Sequence, residues 1–349
     1  MLRVILGFGL AIAALAVILV ARVLMVPDYQ PSNAAAAPSR FDAALVAAHL
    51  AEAVKFRTIS WQAGAAEEDV AASVAAFDAF RDWIEATYPK FSNTATREIV
   101  ADHTLLFTWA GTDPSLKPVL LMSHLDVVPI APGSEGNWKY PPFAGVIADG
   151  YVWGRGTLDV KSGVVGMLEA AEMLIASGFK PKRTILFSFG HDEELGGHAG
   201  NERVAALLAS RNTQLEFVID EGGGIVRGVV PGVDAPVAVL GVAEKGYVTL
   251  ELTAKAAGGH SSLPPPVGET AIGRLARAIG RIDGIVRDAV GELTPAMAFP
   301  QRVVMANLWL FEPVVAQVLA RSATGANTHT TIAPTVISGG NKDNVMPPD

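Results

Sequence analysis

Residues 119–129 read VLLMSHLDVVP: an apolar run of strand length, Val119 to Met122, with His124 and Asp126 directly behind it. The arrangement recurs twice. The run Thr184 to Phe189 leads into GHDEELGG, which carries Glu193 and Glu194, and the run Leu215 to Ile219 leads into Asp220, Glu221 and a string of glycines. Short apolar runs bounded by turn residues read as buried strands, and Ser162 to Ala176, between the first two runs, has helical spacing. Strands alternating with helices predict an α/β sheet with helices on both faces. In open sheets of this kind ligand sites collect beyond the carboxyl ends of the strands, where each of these His and acidic clusters falls.

Working toward the N-terminus, Phe41 to Phe56 and Val70 to Tyr88 show the periodicity of packing helices. Val4 to Ala21 is free of charge and long enough to cross a hydrocarbon core of roughly 30 Å, so residues 1–26 read as a transmembrane anchor or uncleaved signal. A cleaved secretory signal competes, but the run exceeds a usual signal core and no clean small-x-small site follows. Arg3 and Arg22 flank the span on both sides, so the positive-inside bias is weak, and an extracytoplasmic catalytic part is the preferred orientation. The proline-bearing, alanine-rich stretch over 27–40 reads as a linker. In the other direction the pattern changes near Gly241. Tyr247 to Ala254 alternates polar and apolar residues like a half-buried antiparallel strand, Glu269 to Ile282 is helical in pattern, and Thr335 to Ser338 is of strand type. The expected division is a metal-binding catalytic domain over 41–243 and a smaller α+β domain over 244–349.

Composition narrows the chemistry. With 349 residues and half of them hydrophobic, the chain has apolar material for two domains. A formal net charge of −8 without a Lys/Arg run excludes a nucleic-acid partner. The absence of cysteine excludes disulfides and thiolate ligands, so a metal must be held by imidazole and carboxylate.

The clusters demand such a metal. One imidazole and four or five carboxylates at neighbouring strand ends raise each other's pKa steeply unless a cation neutralises them. His, Asp and Glu without sulfur suit zinc, with manganese or cobalt as substitutes, and two ions about 3.5–4 Å apart need a shared carboxylate. His124, Asp159, Glu194 and Asp220 are the candidate ligands, with Asp159, in the glycine-rich turn GRGTLDVKSG, as the bridge. Asp126, two residues from His124, is placed to accept the second ring N–H and set the tautomer. Of the adjacent pair, Glu194 reads as ligand and Glu193 as the general base that must stay off the metal to move a proton.

Taken together, SHLDVVP, GRGTLDVKSG, DEELGG, VIDEGG and GGHSS resemble the zinc-dependent metallopeptidase family of aminoacylase, carboxypeptidase S and succinyl-diaminopimelate desuccinylase, and the carboxypeptidase S branch in particular. The likeness runs from about Phe41 to the end. It implies a zinc-exopeptidase-like sheet, two Zn2+ per complete subunit, and the same assignments to His124, Asp159, Glu194, Asp220, Glu193 and Asp126. It further implies that the second domain is an inserted lid that mediates homodimerisation, that His260 of GGHSS polarises the scissile carbonyl, that Asn344 lies near the substrate, and that the Asp159–Val160 peptide is cis. By the same likeness a fifth ligand, a histidine, and an arginine for the substrate carboxylate belong beyond Asp349, so lid and catalytic domain both read as incomplete. The function implied is hydrolysis of an amide bond next to a free carboxylate, in a small peptide or an N-acyl amino acid. The alternative is a membrane-tethered binding protein without turnover; a serine hydrolase using Ser261 or Ser262 is disfavoured because no GxSxG elbow precedes a helix.

Overall fold

The computed structural model describes residues 2–26, 41–228, 271–279, 299–319 and 345–346, with shorter stretches between 233 and 270. Residues 35–222 form one compact unit, and residues 1–34 together with 223–349 form another.

The first of these units opens with three helices. In α2 (Ala43–Lys55), the second helix of the chain, the Asp42 carboxylate caps the amino end by accepting the N–H groups of Ala44 and Leu45 at 3.0 and 3.2 Å. α3 (Glu67–Thr87) carries three acids in its first turn, which suits the helix dipole, and buries Phe77, Phe80 and Ile84 on one face. α4 (Pro89–Thr94) starts on a proline, whose missing N–H costs nothing there. The sheet that follows has strands β1 (Thr96–Val100), β2 (Thr104–Trp109), β3 (Val119–His124), β6 (Ile185–Gly190) and β7 (Val218–Ile219) in the order β1-β2-β6-β3-β7. β6 pairs antiparallel with β2 and parallel with β3, and β3 pairs parallel with β7. A small hairpin, β4 (Val146–Ala148) with β5 (Tyr151–Trp153), stands apart.

The two faces of the sheet follow the two-residue period of a strand. Leu105, Phe107, Trp109, Phe187 and Phe189 point to one side, where they join Phe80, Ile84 and Phe91 and the buried face of α5 (Ser162–Ala176). Leu106, Leu120 and Leu186 point to the other, against Val204 and Leu208 of α6 (Asn201–Ser210). Within this unit the expected helices and strands are present, with one difference, and β1, β2, α4 and α6 are additions to them. The third apolar run is a strand only at Val218–Ile219. Before it, Glu216 donates its N–H to Pro118 O and Leu120 donates to Phe217 O, so the segment is tied to β3 without a regular ladder.

In the other unit α1 (Leu2–Met25) includes Gly7–Met25, long and apolar enough to cross a membrane at a mean hydropathy of 2.5; a signal sequence has the same properties. Val23 is buried where Arg22 Nε donates to Ala306 O and Asn307 Nδ2 to Leu19 O. Strands β8 (Ile225–Val226) and β9 (Val237–Ala238) pair antiparallel, as do β10 (Gly259–His260) and β11 (Val345–Met346). Among the described residues the helices besides α1 are α7 (Ala271–Ile279), α8 (Phe299–Met305) and α9 (Leu308–Leu319). α7 is the described part of the helix expected over 269–282. Of the strand expected over 247–254, Tyr247, Val248 and Leu250 lie outside the described residues, and Glu251 to Ala254 are not in a strand: alternation marks a candidate edge, and only a partner ladder makes it one. The whole linker over 27–40, the segment 335–338 and Asn344 also lie outside the described residues.

Candidate metal centre

His124 ends β3 and is 1% exposed. Its Nδ1 lies 2.9 Å from the main-chain oxygen of Asp126 and 3.2 Å from the carboxylate Oδ1 of the same residue. Both fix the ring, and Nε2 is turned to a set of acids: Asp159 Oδ1 at 3.0 Å, Glu221 Oε1 at 3.4 Å and Glu193 Oε2 at 3.7 Å.

Glu221 follows β7, and two further elements deliver the other acids. Glu193 and Glu194 occupy a one-turn 3₁₀ helix, Glu193–Leu195, behind β6, and the register His124↔Gly190 brings the tips of β3 and β6 side by side. Asp159 lies in the turn Thr157–Lys161, with the Asp159–Val160 peptide cis. Gly156 opens this turn at φ +84°, and a Cβ there would meet Val127 Cγ1 at 2.7 Å, so both the conformation and the close approach require glycine. The turn is anchored from below by Lys161, whose Nζ donates to Ala53 O at 3.0 Å and Phe56 O at 2.6 Å and lies 4.9 Å from the Phe80 ring centroid. Burial draws the Lys161 pKa down to about 7, against an opposing pull from Asp126.

Asp126 is the hub. Fully buried, it accepts the Ser60 hydroxyl at 2.5 Å and the N–H groups of Glu193 and Glu194 at 3.2 and 3.1 Å. Burial pushes its carboxyl pKa up, but His124 and Ser60 prevail and hold it below the usual range.

Two groups of ligand atoms lie within 4.8 Å of one another: His124, Asp159 and Glu194, and His124, Glu193 and Glu221. Three of the expected ligands thus come together. Asp220 is in neither group. Its Oδ1 accepts the N–H of Glu221, and Glu221 is the acid that reaches His124. The only signal for that in the sequence was the adjacency of two acids in VIDEGG, since neighbouring residues after a strand face opposite ways. Ser60 belongs to no motif and could not have been read. For His260 the structure gives the backbone pairing with Val345 only.

Electrostatics show why a cation fits. Partial burial, and repulsion from neighbouring acids, raise the pKa values of Glu193 and Glu194, while His124 works against both. Burial alone would lower the His124 pKa; bonding to Asp126 and Glu221 instead carries it up to about 11. The acids facing Nε2 therefore favour a positive charge beside them. A divalent ion supplies the same compensation with more charge, and the nitrogen-and-carboxylate donor set is of the kind zinc, manganese and cobalt accept.

Comparison with known proteins gives a family match over residues 120–338, to peptidase family M20/M25/M40. The N-fatty-acyl-amino acid synthase/hydrolase of Xenopus tropicalis is 41% identical over 282 residues, covering 77% of this chain and 54% of that protein. The probable carboxypeptidase S-like 2 of Dictyostelium discoideum is 39% identical over 316 residues, 86% of this chain and 59% of its own length. The chain thus spans little more than half the length of these relatives. Among solved structures, human carnosine dipeptidase 1 shares the fold at a TM-score of 0.51 and 14% identity, over 87% of this chain and 67% of that one.

Proposed function

We propose, since the chain belongs to peptidase family M20/M25/M40, that it hydrolyses an amide bond next to a free carboxylate, in a small peptide or an N-acyl amino acid. The observation that carries this reading is the convergence of Asp159, Glu193 and Glu221 on His124 Nε2 at 3.0–3.7 Å. The relatives support the substrate class by name, one as an N-fatty-acyl-amino acid synthase/hydrolase and the other as a probable carboxypeptidase.

His124, Asp159 and Glu194 would hold divalent ions, two zinc ions in the reading we favour, with an acid of the Asp220–Glu221 pair completing the set. Bound ions would supply Lewis acidity, polarising the scissile carbonyl and making water acidic enough to attack at neutral pH. Glu193 is the base. It takes a proton as the water oxygen bonds to the carbonyl carbon and returns it to the amide nitrogen as the C–N bond breaks; the second water proton also passes to the amine, leaving a carboxylate and an ammonium group. Its raised pKa suits both halves of that cycle. Asp126 keeps the imidazole oriented and holds the backbone of the base.

We assign residues 41–243 to the catalytic domain and 244–349 to a lid that forms a homodimer and brings His260 to the carbonyl oxygen. α1 would serve as a single-pass anchor with the catalytic part outside the cytoplasm. The test is release of amino acid from N-acyl substrates by the zinc-loaded chain, with metal content measured in parallel. A chain that retains no metal after dialysis and releases no amino acid would sink the reading in favour of a tethered binding protein.

A further inference from the structure

Ser60 belongs to none of the motifs that build the metal centre, yet its buried hydroxyl sits where both strand ends meet. It donates to Asp126 Oδ2 at 2.5 Å and lies 3.3 Å from the main-chain oxygen of His191, shortly before Glu193. Local pairing holds it there. Ser60 N donates to Val127 O at 3.1 Å, Val127 N to Thr58 O at 2.9 Å and Thr58 Oγ1 to Leu125 O at 2.6 Å, with Ile59 bridged to Val127. The residues on either side of Asp126 are therefore bonded to the strip 58–60, and Leu125 N is bonded in turn to Gly190 O at 2.7 Å. The direction from which the hydroxyl reaches its acceptor is set by main chain.

That acceptor is the residue on which the site turns. A carboxylate offers about four lone-pair sites, and the two oxygens of Asp126 face four donors. His124 Nδ1 and Glu193 N lie at Oδ1, both at 3.2 Å, while Ser60 Oγ and Glu194 N lie at Oδ2. The serine makes the shortest of these contacts, in the range of about 2.5–2.7 Å where hydroxyl-to-carboxylate bonds are charge-assisted and strong. It is also the one donor that comes from outside the two loops carrying His124 and the glutamates. Held from that side, the carboxylate cannot rotate away from the imidazole without breaking its shortest bond. A hydroxyl satisfied anywhere in the core serves stability; one placed on this carboxylate also decides where His124 Nε2 points.

We propose that Ser60 is a positioning residue of the metal centre: its proton fixes the plane of the Asp126 carboxylate and, through it, the His124 ring and the main chain of Glu193 and Glu194. The inference rests on the metal-centre reading above. The test is a double-mutant cycle on the full chain, read by calorimetric titration with zinc and by the ring-nitrogen NMR shifts of His124 in the metal-free chain. Ser60→Ala lowers zinc affinity about 10-fold, the lower end of what outer supports of a ligating histidine contribute, and moves the His124 shifts. Ser60→Thr, which keeps the hydroxyl, restores most of both. In the Asp126→Ala background Ser60→Ala changes neither any further, because the group it acts through is gone.

Unchanged zinc affinity and unchanged His124 shifts in Ser60→Ala, with only a lower urea midpoint, would reduce Ser60 to a packing residue and overturn the proposal while the metal-centre reading stands. A loss that simply adds to that of Asp126→Ala would overturn it too, since Ser60 would then act by another route. A parent chain that binds no zinc removes the metal-centre reading; His124 shifts that still respond to Ser60→Ala, and only while Asp126 is present, would retain the positioning of the ring.

Discussion

The carboxylate of Asp126 accepts the backbone N–H of Glu194 at 3.1 Å, so the residue that orients the imidazole also positions a candidate metal ligand through its main chain. Asp126→Ala leaves the Ser60 hydroxyl and two amides without their acceptor and lets the His124 ring turn. Metal affinity is expected to fall about 10- to 100-fold, as for other supports of ligating histidines, in calorimetric titration with zinc. Asp126→Glu, which keeps the charge but displaces it, is expected to recover part of the loss.

The adjacent glutamates should separate cleanly. Glu193→Gln removes the proton carrier and is expected to lower kcat by about 10²- to 10⁴-fold while the metal content stays near that of the parent. Glu194→Gln is expected to lower metal content first, with activity rising again as zinc is added. Identical behaviour of the two variants in atomic absorption and rate measurements would refute the division of labour.

Lys161 gives the fold a pH dependence of known sign. Its folded pKa, about 7, is below the ordinary 10.5, so between those values the unfolded chain binds more protons and stability rises with pH. The penalty is complete below about pH 7 and is relieved as pH climbs toward 10.5, with a slope of at most about 1.4 kcal/mol per pH unit. In Lys161→Met this slope should vanish from denaturant midpoints measured across pH 7 to 10.5.

Tyr88 donates its hydroxyl to Glu169 Oε1 at 3.0 Å in a buried setting, where the acid also contacts His49 Nδ1. Tyr88→Phe strips one donor from a buried carboxylate and should destabilise the fold by about 1–3 kcal/mol. Urea unfolding checks this. The metal content of the folded variant should not change, because this cluster lies among α2, α4 and α5 and shares no hydrogen bond with His124.

The three apolar runs and the longer helices were legible from run length and period, and Ser162 to Ala176 was read to the residue, whereas β1, β2, α4 and α6 were not read from the sequence. The site was legible for a related reason. A strand end is a fixed place, so His124 and the Glu193–Glu194 pair could be located from where β3 and β6 stop. Asp220 and Glu221 were harder. With β7 reduced to two residues, no ladder fixes which acid of the pair turns inward, and the structure turns Glu221. Ser60 and Lys161 act through bonds to residues 66 and 105 or more positions away, and no local pattern encodes such a partner.

The register that sets His124 opposite Gly190 has a further consequence. Neighbouring strands stand about 4.8 Å apart, so this register brings the end of β3 beside the turn after β6 that carries Glu193 and Glu194. An ion captured there would act as a rivet across β3 and β6. In amide hydrogen exchange, zinc should slow the rungs from Val119 to His124 and from Ile185 to Gly190 far more than it slows α6, because opening that seam would require expelling the cation.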